Sequence, residues 1–204
     1  MAEVVLAGRV PLHGELREVS VLFQDIRGFT SLSEKTPPEV LLQMLNTFFT
    51  EMVAAVEAHG GVVKQFTGDG VMALFGAPGV QPEHPALAVR AALNMLARLE
   101  TFNLRRQAHG AVPLRIGIGI HTGEVVAGCV GPDTRLEYGV VGDAVNLASR
   151  VQDLTKQLGV PILVTDDTAA RLGPEFVFGK RAILPVRGKE QPVGVVEVLA
   201  AQSV

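Results

Sequence analysis

The chain has 204 residues, 48% of them hydrophobic and 19% charged, and a formal net charge of −3. That size and apolar content suit one well-buried domain with short extensions, and the negative balance excludes the basic groove that a nucleic-acid partner requires. The single cysteine, Cys129, excludes an intrachain disulfide, is read as packing, and fits a reducing, cytoplasmic compartment.

No apolar run is read as reaching the ~18 residues of a membrane span, so this segment is not expected to insert in a membrane. Residues 1–16 carry no clear period and lack the regions of a secretion signal, so they are taken as a lead-in. Residues 17–25 alternate Val19, Val21 and Phe23 against polar neighbours, which predicts a strand with Asp25 at its end. Gly28 breaks the pattern. Thr36-Pro37-Pro38-Glu39 has the form of a capping box, and Leu41, Leu45, Phe48, Met52 and Val56 then recur at helical spacing up to Gly60-Gly61. Strands are expected at 62–67 and 71–75, joined by a hairpin whose signal is Asp69-Gly70.

A second long helix is predicted over 86–108, with Leu93, Leu96, Leu99 and Phe102 inward. A strand over 114–122 sets Ile116, Ile118 and Ile120 on one face and Gly117 and Gly119 on the other, where something bulky must approach. Residues 124–130 and 135–141 read as a hairpin across Gly131-Pro132-Asp133. Asp143 is the expected cap of a third helix reaching about Leu158. A strand at 161–164, a short helix at 166–172 and strands at 176–186 and 194–199 complete the chain. The order β-α-β-β-α-β with additions is an α+β class: a ferredoxin-like, split βαβ core with extra C-terminal strands and helices.

In such a sheet the first and third strands are neighbours, so Asp25 and Asp69 converge. Two hard oxygen donors suit Mg²⁺, which takes its other ligands from water and phosphate. Taken alone, Asp69 is an ordinary hairpin residue. Asn146 and Arg150, four apart, share a helical face, with Asp153 and Gln157 continuing it as a solvated stripe would. Arg187-Gly188-Lys189 places two cations at a turn, and an exposed turn is the plainer reading. The five histidines are scattered and show no metal-ligand spacing.

Three stretches resemble one family. They are Phe23-Gln24-Asp25-Ile26-Arg27-Gly28-Phe29-Thr30, Thr67-Gly68-Asp69-Gly70-Val71-Met72-Ala73 and Gly142-Asp143-Ala144-Val145-Asn146-Leu147-Ala148-Ser149-Arg150. In that order they are similar to the class III adenylyl/guanylyl cyclase catalytic domain, over residues 17–199, with 200–204 as a tail. The resemblance implies the class III cyclase fold and conversion of a nucleoside triphosphate to a cyclic 3′,5′-monophosphate and pyrophosphate.

It further implies two Mg²⁺ or Mn²⁺ ions per site, on Asp25, Asp69 and the Ile26 carbonyl. Phosphates would lie against Gly28, Phe29 and Thr30 and against Arg187. Asn146 would orient the ribose, and Arg150 would stabilise the transition state. Acids and Asn/Arg helix come from different subunits in the family, so a head-to-tail homodimer is implied. A fused or associated regulatory domain is expected by the same likeness.

The sequence departs from the family at two base-specifying positions, which hold Gln65 and Gly139. Adenylyl cyclases carry Lys at the first and guanylyl cyclases Glu. Gln presents both a donor and an acceptor. The neighbouring Lys64 is read as facing away, because one residue along a strand reverses the face. ATP is the favoured substrate. Guanylyl or relaxed ATP/GTP selectivity is the first alternative, and a weakly catalytic nucleotide-binding regulatory domain the second.

Overall fold

The protein is described here from a computed structural model covering residues 14–131 and 136–202. The described elements are β1 (Glu15–Ile26), α1 (Phe29–Ser33), α2 (Pro38–Glu57), β2 (Val62–Thr67), β3 (Gly70–Phe75), α3 (His84–Ala108), β4 (Ile116–Val130), β5 (Glu137–Val141), α4 (Asp143–Leu158), β6 (Ile162–Thr165), α5 (Asp166–Ala169), β7 (Phe176–Leu184) and β8 (Val193–Ala201). Regular structure thus reaches into both the predicted lead-in and the predicted tail. The strands form one sheet in the order β2-β3-β1-β4-β6-β8-β7, with β5 paired to β4. The order β2-β3-β1-β4 is the split βαβ core expected from the sequence, and β6 joins it parallel to β4.

Strand alternation sorts the side chains into two cores. Leu22, Val71, Ala73, Ile116, Ile118 and Ile120 face α2 and α3, whereas Val19, Val21, Met72, Leu74 and Val125 face α4. Gly117 and Gly119 lie on the α4 side. A Cβ at Gly119 would sit 2.1 Å from the backbone nitrogen of Gln152, and one at Gly117 2.2 Å from Thr155 Oγ1. The bulky neighbour expected from these glycines is therefore α4.

Several local expectations are corrected. The strands predicted at 114–122 and 124–130 are one strand, β4. Gly123 stays in the ladder opposite Val19, and a Cβ there would lie 3.3 Å from that of Ala144 on α4, so the glycine marks close approach and not a break. The buried face of α3 runs through Ala88, Ala91, Ala92, Met95, Leu99 and Phe102, with Leu93 and Leu96 only half-buried, because the alanines let the helix lie close to the sheet.

No capping box forms at α2: Pro37 is the N-cap, and Thr36 donates to the Leu32 carbonyl of the preceding turn at 2.7 Å. Gly142, not Asp143, is the N-cap of α4, and Asp143 pairs instead with Lys189. The β4–β5 hairpin is present, but its expected turn at Pro132-Asp133 and Arg135 lie outside the described residues.

By length and composition α2 does qualify as apolar enough to cross a membrane, at a mean hydropathy of 1.2, contrary to the expectation that no segment would. Here it packs Phe48, Met52, Ala55 and Val56 into the core, while Val40 and Leu42 are exposed.

Candidate active site

Asp25 follows Val19, Val21 and Phe23 in the α4-facing series of β1. Asp69 occupies the turn between β2 and β3, where Thr67 pairs with Gly70 and Gly68 takes φ 74. Among the described residues no non-glycine has positive φ, so the turn has the Gly-first pattern of type II′. The sequence signal was one residue off: Gly70 belongs to the ladder. A Cβ on Gly70 would come within 2.4 Å of the Gln24 carbonyl and 3.4 Å of Asp25 Oδ1. Its bareness lets the hairpin tip close onto the end of β1.

The two carboxylates meet there. Burial, then the hydrogen-bonding contact and charge of Asp69, push the Asp25 carboxyl up from its ordinary 3.8 to about 7. The Ile26 backbone opposes the shift, and Asp153 on α4 adds to it. Both acids line a cleft of about 370 Å³ with Ile26, Gly28, Phe29 and Thr30. Gly28, at φ 72, is the N-cap of α1, so the first N–H groups of that helix lack intrahelical partners and lie in the cleft wall.

The opposite wall comes from α4 through Gln152, Asp153, Thr155 and Lys156. Arg27 ties the two walls together by donating to the carbonyls of Thr155, at 3.0 Å, and Val160. Sequence reading did not assign Arg27, Asp153 or Lys156 to the site. Asp153 had been seen only as part of a polar helix stripe, and its proximity to Asp25 depends on the packing of α4.

Two carboxylates this close repel unless a shared proton or a cation neutralises the pair. Among the described residues no group of three or more His, Cys, Asp or Glu is placed to hold a metal. The pair therefore fits a hard divalent ion that completes its shell from a backbone carbonyl, water and phosphate.

The other predicted residues lie elsewhere. Gln65 and Gly139 come together in a second groove, of about 320 Å³, with Lys64, Met72 and Val145. Glu137, exposed at the start of β5, is also in its lining. Asn146, next to Val145, is exposed and outside the acid cleft. Arg150 has one buried guanidinium nitrogen without a partner among the described residues, and its Nη2 lies 3.2 Å from where a Cβ on Gly188 would be. Arg187, beside Gly188, is exposed. Within one chain the predicted residues thus divide: the acids and the α1 residues line one cleft, and Gln65, Gly139, Asn146, Arg150 and Arg187 all lie outside it, Gln65 and Gly139 in the second groove and Arg150 beside Gly188.

A split βαβ sheet carrying paired acids at β1 and the β2–β3 tip defines a site suited to a divalent ion and its phosphate ligands. The model of the adenylate and guanylate cyclase catalytic domain matches residues 13–197. The adenylate cyclase of Anabaena cylindrica is 38% identical over 191 residues, which cover 90% of this chain. The chain spans only 37% of that relative's length. The crystal structure of the guanylyl cyclase Cya2 superposes with TM-score 0.88 at 35% identity, covering 94% of this chain and 96% of that one. The adenylyl cyclase CyaB from P. aeruginosa gives 0.86 at 31%, covering 94% and 98%.

The chain belongs to the adenylate and guanylate cyclase catalytic-domain family, and its fold is the class III cyclase fold. Since an adenylyl and a guanylyl cyclase both superpose on it, the fold does not choose the base.

Proposed function

We propose that two copies of this chain, joined head to tail, convert ATP to cyclic 3′,5′-AMP and pyrophosphate. The observation that carries this reading is the division of the site residues into two groups within one chain. A two-fold dimer brings the acid cleft of one copy against the Asn146/Arg150 face of the other, twice. Two divalent ions, Mg²⁺ or Mn²⁺, held by Asp25, Asp69 and the Ile26 carbonyl, supply Lewis-acid stabilisation of the 3′-oxygen and the triphosphate.

The protein supplies the rest. The Gly28–Thr30 backbone and Arg187 hold phosphate oxygens, and Asn146 fixes the ribose. The 3′-oxygen forms a bond to the α-phosphorus and gives up its proton to water, the bond from the α-phosphorus to the oxygen it shares with the β-phosphate breaks, and pyrophosphate leaves with that oxygen. Arg150, whose inner nitrogen has no partner among the described residues, neutralises charge that grows on the reacting phosphate.

Purified protein at high concentration with Mg²⁺ or Mn²⁺ should form cyclic product faster from ATP than from GTP. Asp25→Ala and Asp69→Ala should each abolish turnover. No product from either nucleotide would refute the reading. A guanylyl or relaxed selectivity is the second reading. It is favoured by Gly139, which offers the base no side chain, and would show as equal or faster turnover of GTP.

A further inference from the structure

We propose that Lys64 reads the purine base beside Gln65, brought into the base groove by a β-bulge, and that it biases the groove towards adenine. The proposal rests on the cyclase reading above. A regular strand would show only one of these two neighbours to the groove. The register shows why both line it. Val63 pairs with Ala73, and the next pair is Gln65 with Met72, so Lys64 is an extra residue with no ladder partner of its own. Val63 and Ala73 face α2 and α3, whereas Met72 faces α4.

Regular alternation from Val63 would send Lys64 to the α4 side and Gln65 to the other. The bulge resets Gln65 opposite Met72 and leaves Lys64 where alternation had put it. Both side chains therefore enter the groove with Gly139. This corrects the expectation that Lys64 faces away.

The surroundings fit a base. Met72, Val130 and Val145 supply apolar walls. A Cβ on Gly139 would meet nothing nearer than Val130 Cγ2 at 3.4 Å, so the space opposite the two polar heads is open. Lys64 is half-buried, and among the described residues it has no hydrogen-bond or ion-pair partner. An ammonium without a partner is free to donate to a ligand.

Ammonium only donates, which matches adenine N1, and the Gln65 amide oxygen accepts from the adenine 6-amino group. That pair satisfies the whole adenine edge. Guanine, with an acceptor at position 6 and donors at positions 1 and 2, engages the same two heads only with one of its donors unmatched by them. An unpaired polar group is what makes such a site selective.

The test compares kcat/KM for ATP and GTP in the wild type, Lys64→Met, Lys64→Arg and Gln65→Met. Lys64→Met should lower kcat/KM for ATP by about tenfold or more, the worth of a hydrogen bond from a charged donor. GTP, already bound with one donor unmatched, should lose less, so the ATP:GTP ratio falls, and Lys64→Arg should recover much of it. An ATP:GTP ratio that Lys64→Met leaves within about twofold of wild type, beside hydrogen bonds worth about tenfold, would overturn the proposal. Wild type that makes neither cyclic product would instead refute the cyclase reading. Displacement of a fluorescent ATP analogue by ATP and by GTP then reads the same ratio without turnover, and a ratio insensitive to Lys64→Met overturns the proposal there as well.

Discussion

Gln24 is 1% exposed, and among the described residues neither its amide nitrogen nor its amide oxygen has a partner. It shares the face of β1 that carries Leu22 and Ile26 into the core beneath α2 and α3. Burying an unpaired amide costs about 1–3 kcal/mol, so Gln24→Leu should raise the urea midpoint with an unchanged m-value. Its neighbour Asp25 sets a pH dependence. Its carboxyl is raised to about 7 in the fold from an ordinary 3.8. Between those values the folded state holds a proton that the unfolded state has lost, so stability falls as pH rises through this window. In metal-free protein at pH 8, Asp25→Asn should therefore melt higher than wild type. Mg²⁺ should raise the melting temperature of the wild type and leave that of Asp25→Asn nearly unmoved.

Among elements, β1, β4, β6, α5 and the start of α3 are joined by a buried hydrogen-bonded chain. Ser20 Oγ lies 2.9 Å from His84 Nδ1 and 2.7 Å from Thr122 Oγ1. Thr168 donates to Thr122 at 3.1 Å, Thr165 lies 3.2 Å from Thr168, and His121 Nδ1 lies 2.9 Å from Thr165 Oγ1. Burial lowers the pKa of both histidines below the usual 6.5. The charges of Glu18 near His84, and of Asp167 and Asp143 near His121, only partly offset it; Arg171 beside both and Lys189 beside His121 act with the burial.

Each histidine is neutral in the fold at a pH where the unfolded chain has begun to bind a proton. Their contribution to stability is complete above 6.5 and is lost as pH falls below it. Chemical denaturation from pH 7.5 to 5 should show this loss, and His121→Gln should flatten it. This slope is opposite in sign to that of Asp25, so the metal-free protein should be most stable near the crossover of the two effects.

At the scale of the whole molecule, the two groups of site residues make a strong demand. If each site takes its acids from one copy and its Asn146/Arg150 helix from the other, Asp25→Ala and Arg150→Ala proteins are each inactive alone. Their mixed dimer carries one intact site and one doubly damaged one. Random re-pairing of equal amounts should restore about a quarter of wild-type activity, because half the dimers are mixed and each has one working site of two. No rescue, with mixed dimers shown to form, would place all site residues of a working centre in one chain. Specific activity should also fall on dilution as dimers dissociate.

Much of this was legible in the chain alone, wherever the signal is local. The alternation of Val19, Val21 and Phe23 set the strand that ends in Asp25, the Gly-Asp-Gly tip set the hairpin, and Gly117 and Gly119 announced a close neighbour before it was known to be α4. Those patterns depend on a few adjacent residues and on periods of 2 or 3.6. Only the tertiary structure decided what depends on the partner element. It joined two predicted strands into β4, and it found α2 packed in the core despite its apolar length. It placed Asp153 and Lys156 across from Asp25, and it separated the acid cleft from the groove that holds Gln65 and Gly139. The bulge at Lys64 belongs here too: a strand's own sequence does not tell which residue its partner leaves unpaired, because register is fixed by two strands together. The face that Lys64 presents was therefore decided by β3.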